Sequence, residues 1–332
     1  MKAILSTAPG GPETLALHDI PTPDPGPGEV RVRVKVCAVN YPDVLIIQDL
    51  YQLKPERPFS PGSDVAGSVD AVGAGVQDIQ VGQRVFGIKA YGGMAQYIVL
   101  PAAACLSAPP ELPLEDAAAL LLTYATAIHA LKDRAQLRAG ETLLVLGAGG
   151  GTGVAAVELG KAMGARVVAA VSSQEKAALA TQCGADATLT WPTEPLDRAT
   201  ARTVADRIKE ACGPNGADVI FDPVGGDYAE PALRAIAWQG RYLVVGFTAG
   251  IPRIPLNLPL LKSCNILGVF WGAFLARDPH GHRANMAELI ELYRRGSIKP
   301  LITERYPLER AAEAIARLAQ RRALGKIVVV ID

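Results

Sequence analysis

The 332-residue chain has no surplus of charge of either sign: 33 Lys plus Arg balance 33 Asp plus Glu, for a formal charge of zero. Binding to a phosphate backbone draws on clustered cations, so composition makes no case for a nucleic-acid partner. No apolar run reaches the roughly 20 residues that span a bilayer, and no membrane association is expected. The opening residues Met1-Lys2-Ala3-Ile4-Leu5-Ser6 lack a signal-like apolar run with a small-residue cleavage site. Five cysteines (Cys37, Cys105, Cys183, Cys212 and Cys264) are scattered and odd in number. They form neither a disulfide framework nor a metal-knuckle spacing, and a reducing cytoplasm is the expected compartment. Internal repeats and low-complexity tracts are also missing.

What the chain does have is apolar material. Hydrophobic residues make up 49% and charged residues 20%, a composition that builds cores and excludes disorder. Its length suits two domains, or one inserted in another. Residues 30–36 read Val-Arg-Val-Arg-Val-Lys-Val, a period-two alternation that predicts a half-buried strand with valines inward and cations in solvent. Gly/Pro turns and short β-rich runs at 65–72, 84–87 and 96–100 surround it, so the first hundred residues read as an antiparallel β unit.

From about residue 114 the rhythm changes. An Ala-rich helical stretch (116–131) precedes strand candidates at 142–146, 166–171, 187–190, 218–221, 241–245 and 266–270, with helical patterns between most of them. Short apolar strands alternating with helices predict βαβ units and a parallel sheet covered on both faces. Two helical stretches (283–295 and 308–322) and a final strand (326–331) follow. This last piece is too small for a domain and is expected to pack on the N-terminal unit.

The strongest local signal runs Leu143-Leu144-Val145-Leu146-Gly147-Ala148-Gly149-Gly150-Gly151-Thr152-Gly153-Val154. An apolar strand enters a glycine cluster that opens a helix. Glycines permit the tight turn, let backbone approach a pyrophosphate and let helix pack closely on strand; the helix N-terminus supplies free N–H groups to the phosphates. In an NAD site an acid near the end of the second strand accepts from the ribose 2′-hydroxyl. Here that strand is followed by Ser172-Ser173-Gln174-Glu175-Lys176. Two hydroxyls replace the acid and Lys176 can neutralise a 2′-phosphate, which favours NADPH. The plainer reading makes Ser172-Ser173 a helix cap and Lys176 a solvated charge.

Further segments join the glycine loop: Asn40-Tyr41-Pro42-Asp43, Gly62-Ser63-Asp64-Val65-Ala66-Gly67, Val81-Gly82-Gln83-Arg84-Val85 and Gly325-Lys326-Ile327-Val328-Val329. Together they resemble the medium-chain dehydrogenase/reductase superfamily, and within it the zinc-free NADPH:quinone oxidoreductases. The resemblance spans essentially the whole chain. It implies an α/β fold: a GroES-like β domain formed by residues 1–118 and 270–332, with a Rossmann domain of residues 119–269 inserted. It also implies a cofactor, NADPH, in the cleft between the domains, and a homodimer. Cofactor contacts carried over by the resemblance fall on Tyr41, Pro42, Asp43, Thr126, Gly150, Gly151, Thr152, Gly153 and Val154. They continue on Ser172, Ser173, Lys176, Pro223, Val224, Gly225, Gly246, Phe247, Thr248, Phe270, Trp271 and Gly272. Trp191 stands where the family often has Tyr near the adenosine phosphate; it can stack on adenine but offers no phenol. Arg322 is a compensating cation.

Zinc-dependent relatives carry a Cys ligand and a His-Glu pair where this chain reads 39–43 and 62–67. Neither segment holds a thiolate or an imidazole, and the four-cysteine structural lobe is absent, so no metal is expected. The pair His280-Gly281-His282, in a Pro/Gly turn without a third ligand, reads as solvent-exposed, and His129 as structural. Without a Lewis acid the substrate must already accept hydride readily, as a quinone or α,β-unsaturated carbonyl does. Candidate catalytic residues are Asn40 and Tyr51, beside an apolar group of Phe270, Trp271 and Phe274. Core packing is the competing reading of Tyr51, and a subunit interface that of the aromatic run. Two other functions stay open: an enoyl-thioester reductase, which needs a basic patch for carrier phosphates, and a nucleotide-bound, non-enzymatic protein.

Overall fold

The computed structural model describes residues 1–192 and 195–332. The chain forms two compact units, one of Met1–Leu122 with Pro300–Asp332 and one of Thr123–Lys299. In chain order the first begins with β1 (Lys2–Ser6), β2 (Leu15–Asp19), β3 (Glu29–Ala38), α1 (Tyr41–Ile46), β4 (Asp64–Val72), β5 (Arg84–Ile88), β6 (Tyr97–Pro101) and β7 (Cys105–Ser107). The boundary falls inside α2 (Leu114–Ile128).

The second unit alternates strand and helix. Its strands are β8 (Thr142–Leu146), β9 (Arg166–Val171), β10 (Ala187–Thr190), β11 (Ala217–Asp222), β12 (Ile236–Val244) and β13 (Asn265–Gly268). Its helices are α3 (Gly151–Ala162), α4 (Gln174–Gln182), α5 (Arg198–Cys212), α6 (Ala229–Arg234), α7 (Asn257–Lys262), α8 (Trp271–Arg277) and α9 (Pro279–Arg294). The strands form one parallel sheet in the order β10-β9-β8-β11-β12-β13. Being covered on both faces, β8 and β9 are almost wholly apolar and buried, as parallel strands require. The chain builds outward from β8 and then returns to lay β11 on its other side. At such a reversal the strand ends leave a crevice, where sheets of this kind bind ligands.

The chain then returns to the first unit with β14 (Ile302–Pro307), α10 (Ala311–Ala319) and β15 (Lys326–Val330). Central strand β3 shows the expected alternation: Val30, Val32, Val34 and Val36 are buried and Arg33 is exposed. It pairs antiparallel with β4, β6 and β15, while β14 joins β15 in parallel.

The compact units divide at 299/300, with α8 and α9 in the second, where the sequence leads one to expect 269/270. A π-helical turn, His129–Arg134, continues α2 and stacks the His129 ring on Phe274 at 4.0 Å. Lys132 Nζ reaches Glu288 at 2.5 Å and Asn285 at 3.1 Å, and Asn285 donates to Asp133 at 2.8 Å. Nor does the 280–282 segment form a solvent-exposed turn. Pro279 starts α9, a favoured first position, and Asp278 Oδ1 accepts from Gly281 N at 2.8 Å. His280 is exposed, but His282 is buried edge-on to Trp271.

In α3, Glu158 accepts from Tyr124 Oη at 2.6 Å and from Lys299 N at 3.0 Å, and burial pushes its carboxyl up to about 6. The folded state therefore holds this proton more tightly than the unfolded chain does. The resulting stability is full below the unfolded value of 4.5 and is lost as pH rises through about 6. Between these limits the parent should lose stability relative to Glu158→Gln by at most about 1.4 kcal/mol per pH unit, measured by urea unfolding. A difference independent of pH would contradict this.

Candidate functional site

The glycine turn after β8 is set by backbone contacts that exclude side chains. Gly147 sits at φ +64°, in the left-handed region, and its carbonyl accepts from Gly150 N at 3.1 Å. A Cβ on Gly153 would lie 2.2 Å from that carbonyl oxygen and 2.7 Å from Ala148 Cα, so the first turn of α3 rests directly on the loop. Gly150 caps α3 with no side-chain acceptor, leaving the N–H groups of Gly151, Thr152 and Gly153 at a positive helix terminus. Val154 N bonds back to Gly150 O at 2.8 Å.

This turn meets the one after β11. A Cβ on Gly147 would lie 2.8 Å from Val224 Cγ2. The second turn is tied by Asp222, whose Oδ1 accepts from Val224 N at 2.7 Å and Gly225 N at 2.8 Å, and whose Oδ2 accepts from Tyr242 Oη at 2.5 Å. Burial raises the Asp222 carboxyl, and these donors oppose the rise. The segment after β12 is stitched to the same place: Ala249 N donates to Val224 O at 2.8 Å and Thr248 Oγ1 to Pro223 O at 3.3 Å. Pro223 and Val224 thus lie against the Gly246-Phe247-Thr248 segment. Asp222 and Tyr242 were not found from the sequence; the carboxylate two residues before a Val-Gly turn was the available signal.

Beside the glycine turn, Ser172, Ser173 and Lys176 come together. Lys176 Nζ donates to Ser172 Oγ at 3.2 Å, Lys176 N to Ser173 Oγ at 3.3 Å, and the lysine stem covers Gly149. The capping reading of Ser173 therefore holds, and it also fixes Lys176 at the loop. The Trp191 ring, expected to stack on adenine, is buried and stacked on Tyr228 at 4.4 Å, as part of the second unit's core. The aromatic run divides as well: Phe270 is 61% exposed, Trp271 is buried on His282, and Phe274 is spent on His129. Gly272 is exposed and Thr126 is buried in α2.

In the first unit Asn40, Asp43 and Asp64 form a buried polar knot around Lys326. The amide of Asn40, expected as a catalytic residue, is bonded within this knot. Its Nδ2 donates to Asp64 Oδ2 at 2.9 Å and Ala38 O at 3.2 Å, and its Oδ1 accepts from Lys326 Nζ at 2.5 Å. Asp43 accepts from Asn40 N at 2.7 Å and Gly62 N at 2.9 Å. Burial pushes its carboxyl up to about 7 against the pull of those two N–H groups. Tyr41 and Pro42 are half-buried at the start of α1. Tyr51 is half-buried too, and burial together with the negative charge of Asp43 raises its phenol above the ordinary value. Arg322 is exposed in the first unit.

The knot also tests the fit of a metal. Catalytic zinc takes three Cys, His or carboxylate ligands. Asn40, Ser63 and Asp64 are committed to one another, and an ammonium already lies among the carboxylates. This donor set does not suit zinc. The glycine turn, by contrast, suits a dinucleotide.

Comparison with known proteins supports the dinucleotide. Residues 26–110 match the alcohol dehydrogenase GroES-like domain and residues 151–293 the family described as zinc-binding dehydrogenase. A quinone oxidoreductase-like protein 2 homolog of Nematostella vectensis is 38% identical over 88% of this chain and 79% of its own. The human quinone oxidoreductase is 31% identical over 100% of this chain and 98% of its own. Among solved structures, Escherichia coli quinone oxidoreductase complexed with NADPH superposes with a TM-score of 0.91 at 27% identity, over 99% of this chain and 100% of that one. A mycobacterial protein complexed with NADPH gives 0.91 at 31% identity, over 99% and 100%.

Because a methyl at 153 would collide with the Gly147 carbonyl, Gly153→Ala must open the turn. Dinucleotide affinity should fall by about tenfold or more in calorimetric titration. An unchanged Kd would contradict the role given to this contact.

Proposed function

The chain belongs to the quinone oxidoreductase family of the medium-chain dehydrogenases/reductases, and from that membership we propose that it transfers hydride from NADPH to a quinone or another conjugated carbonyl without a metal. The observation that carries the reading is the clustering of Ser172, Ser173 and Lys176 on the glycine turn. An ammonium and two hydroxyls there complement a 2′-phosphate, where an acid would repel it.

When bound, NADPH supplies the hydride from its nicotinamide ring. The chain's own residues bind and orient. The N–H groups opening α3 hold the pyrophosphate, and Lys176 takes the 2′-phosphate. The exposed Phe270 offers an apolar face to a flat acceptor. Tyr51 keeps its proton at neutral pH, since burial and Asp43 raise its phenol, so it is a donor to the oxygen of the reduced acceptor.

A homodimer is supported by the edge of the second unit's sheet. Strand β13 ends that sheet with an open hydrogen-bonding edge, and the adjoining α7 exposes Leu260 and Leu261 by 78% and 66%. A second copy joined across a two-fold axis pairs the strand and covers the leucines. Light scattering at micromolar concentration should give a dimer and Leu260→Asp a monomer; a monomeric parent would contradict it.

Purified protein should consume NADPH with a simple quinone, and NADH less well. A reduced quinone is an anion already stabilised by conjugation, whereas an enone leaves a more basic enolate. Tyr51→Phe should therefore slow enone reduction by about 10²-fold and leave quinone turnover within about threefold. Loss of quinone turnover in Tyr51→Phe with normal NADPH binding would overturn the mechanism, and no quinone-dependent oxidation in the parent would overturn the function.

A further inference from the structure

Lys326 opens the last strand of the chain, 286 residues from Asn40, and its ammonium is buried beside it. Strand register brings this about. Strand β15 pairs with the end of β3, and β3 with the start of β4, so Lys326, Asn40 and Asp64 meet at one end of three adjacent strands. The ammonium donates to Val39 O at 3.0 Å and Asn40 Oδ1 at 2.5 Å. It has three donors and no acceptor, so it admits only one of the two orientations of the Asn40 amide. That orientation aims Nδ2 at Asp64 and Ala38 O. Asn40 N in turn donates to Asp43, and Asp43 to Gly62 N presents its other oxygen as acceptor, which closes the turn around Tyr41 and Pro42.

A buried charge is a poor way to gain stability, since an apolar side chain of similar volume usually serves as well or better. What a buried charge adds, through the bonds it makes, is a single arrangement of its partners. We propose that Lys326 is a positioning residue of the oxidoreductase site, which locks the Asn40 amide and, through it, the Tyr41–Pro42 turn. This rests on the hydride-transfer reading given above, and adds to it a residue that touches neither cofactor nor acceptor.

The charged and titratable groups facing the ammonium are Cys37 from β3, Asp43 from α1 and Asp64 from β4, with Tyr51 beyond Asp43. The ammonium lowers both carboxyls against the upward push of burial. Without it they take up protons at higher pH, and the turn they bond loosens with them.

The test uses full-length Lys326→Met, Lys326→Arg and the charge-balanced Lys326→Met/Asp64→Asn. NADPH affinity and the kcat and KM for a simple quinone are followed across pH. Lys326→Met should keep NADPH affinity within about threefold and lose kcat by about 10²-fold, the usual effect of a misplaced reacting group. Its acid limb of kcat should move up by about one pH unit or more, and Lys326→Arg should restore both the rate and the limb. A folded Lys326→Met with parental kcat and pH profile overturns the proposal, as does a loss of rate with the profile unmoved. If Lys326→Met does not fold, the double variant decides: reduced kcat supports positioning, and parental kcat overturns it. A parent inactive with quinone sinks the functional reading itself, whereas an active parent indistinguishable from its Lys326 variants sinks only this inference.

Discussion

Between Gly153 and the Gly147 carbonyl there is room for a hydrogen but not for a methyl, and the binding geometry of the second unit hangs on that contact. Because α3 can settle onto the turn, its first N–H groups open the helix just after β8 without a side-chain cap. The turn after β11 can then press Val224 against Gly147, and Asp222 holds it there from below. Lys176 lies across Gly149 because that residue, too, has no side chain. The Gly153 contact is a backbone approach that any side chain forbids, whereas Gly147 and Gly149 make room for the side chains of Val224 and Lys176, so glycine at 153 is a requirement of packing before it is one of ligand binding.

The first unit solves a different problem. Strands β4 and β15 and helix α1 bring two carboxylates and a lysine into a buried space, where such groups are tolerated only among hydrogen-bond partners. Asn40 makes this possible, since one amide can accept from the ammonium and donate to a carboxylate at once. The same network explains why the donor set does not suit zinc.

How much of this was legible in the sequence depended on how local the cause was. Strands β8, β9 and β10 were bounded as found, because buried parallel strands read as short apolar runs between turn signals. The glycine turn and the Ser172–Lys176 cluster were legible for the same reason, each lying within a few residues. Strand β14, Ile-Thr-Glu-Arg-Tyr-Pro at a sheet edge, was missed because charges break its apolar pattern. Long-range pairings hid the rest. The Lys326–Asn40 bond depends on strand register, and the assignment of α8 and α9 depends on a ring stack formed at a π-helical turn. Trp191 looked available in sequence because nothing local announces Tyr228 as its partner.

The account stands or falls on a site for a 2′-phosphorylated dinucleotide at the glycine turn. Its most direct test is calorimetric titration with ADP-ribose and with its 2′-phosphate, ligands that lack the nicotinamide and so probe this site alone. The 2′-phosphorylated form should bind about tenfold or more tightly, and Lys176→Ala should remove most of the difference. Equal affinity for the two ligands, or tighter binding of the unphosphorylated one, would contradict it.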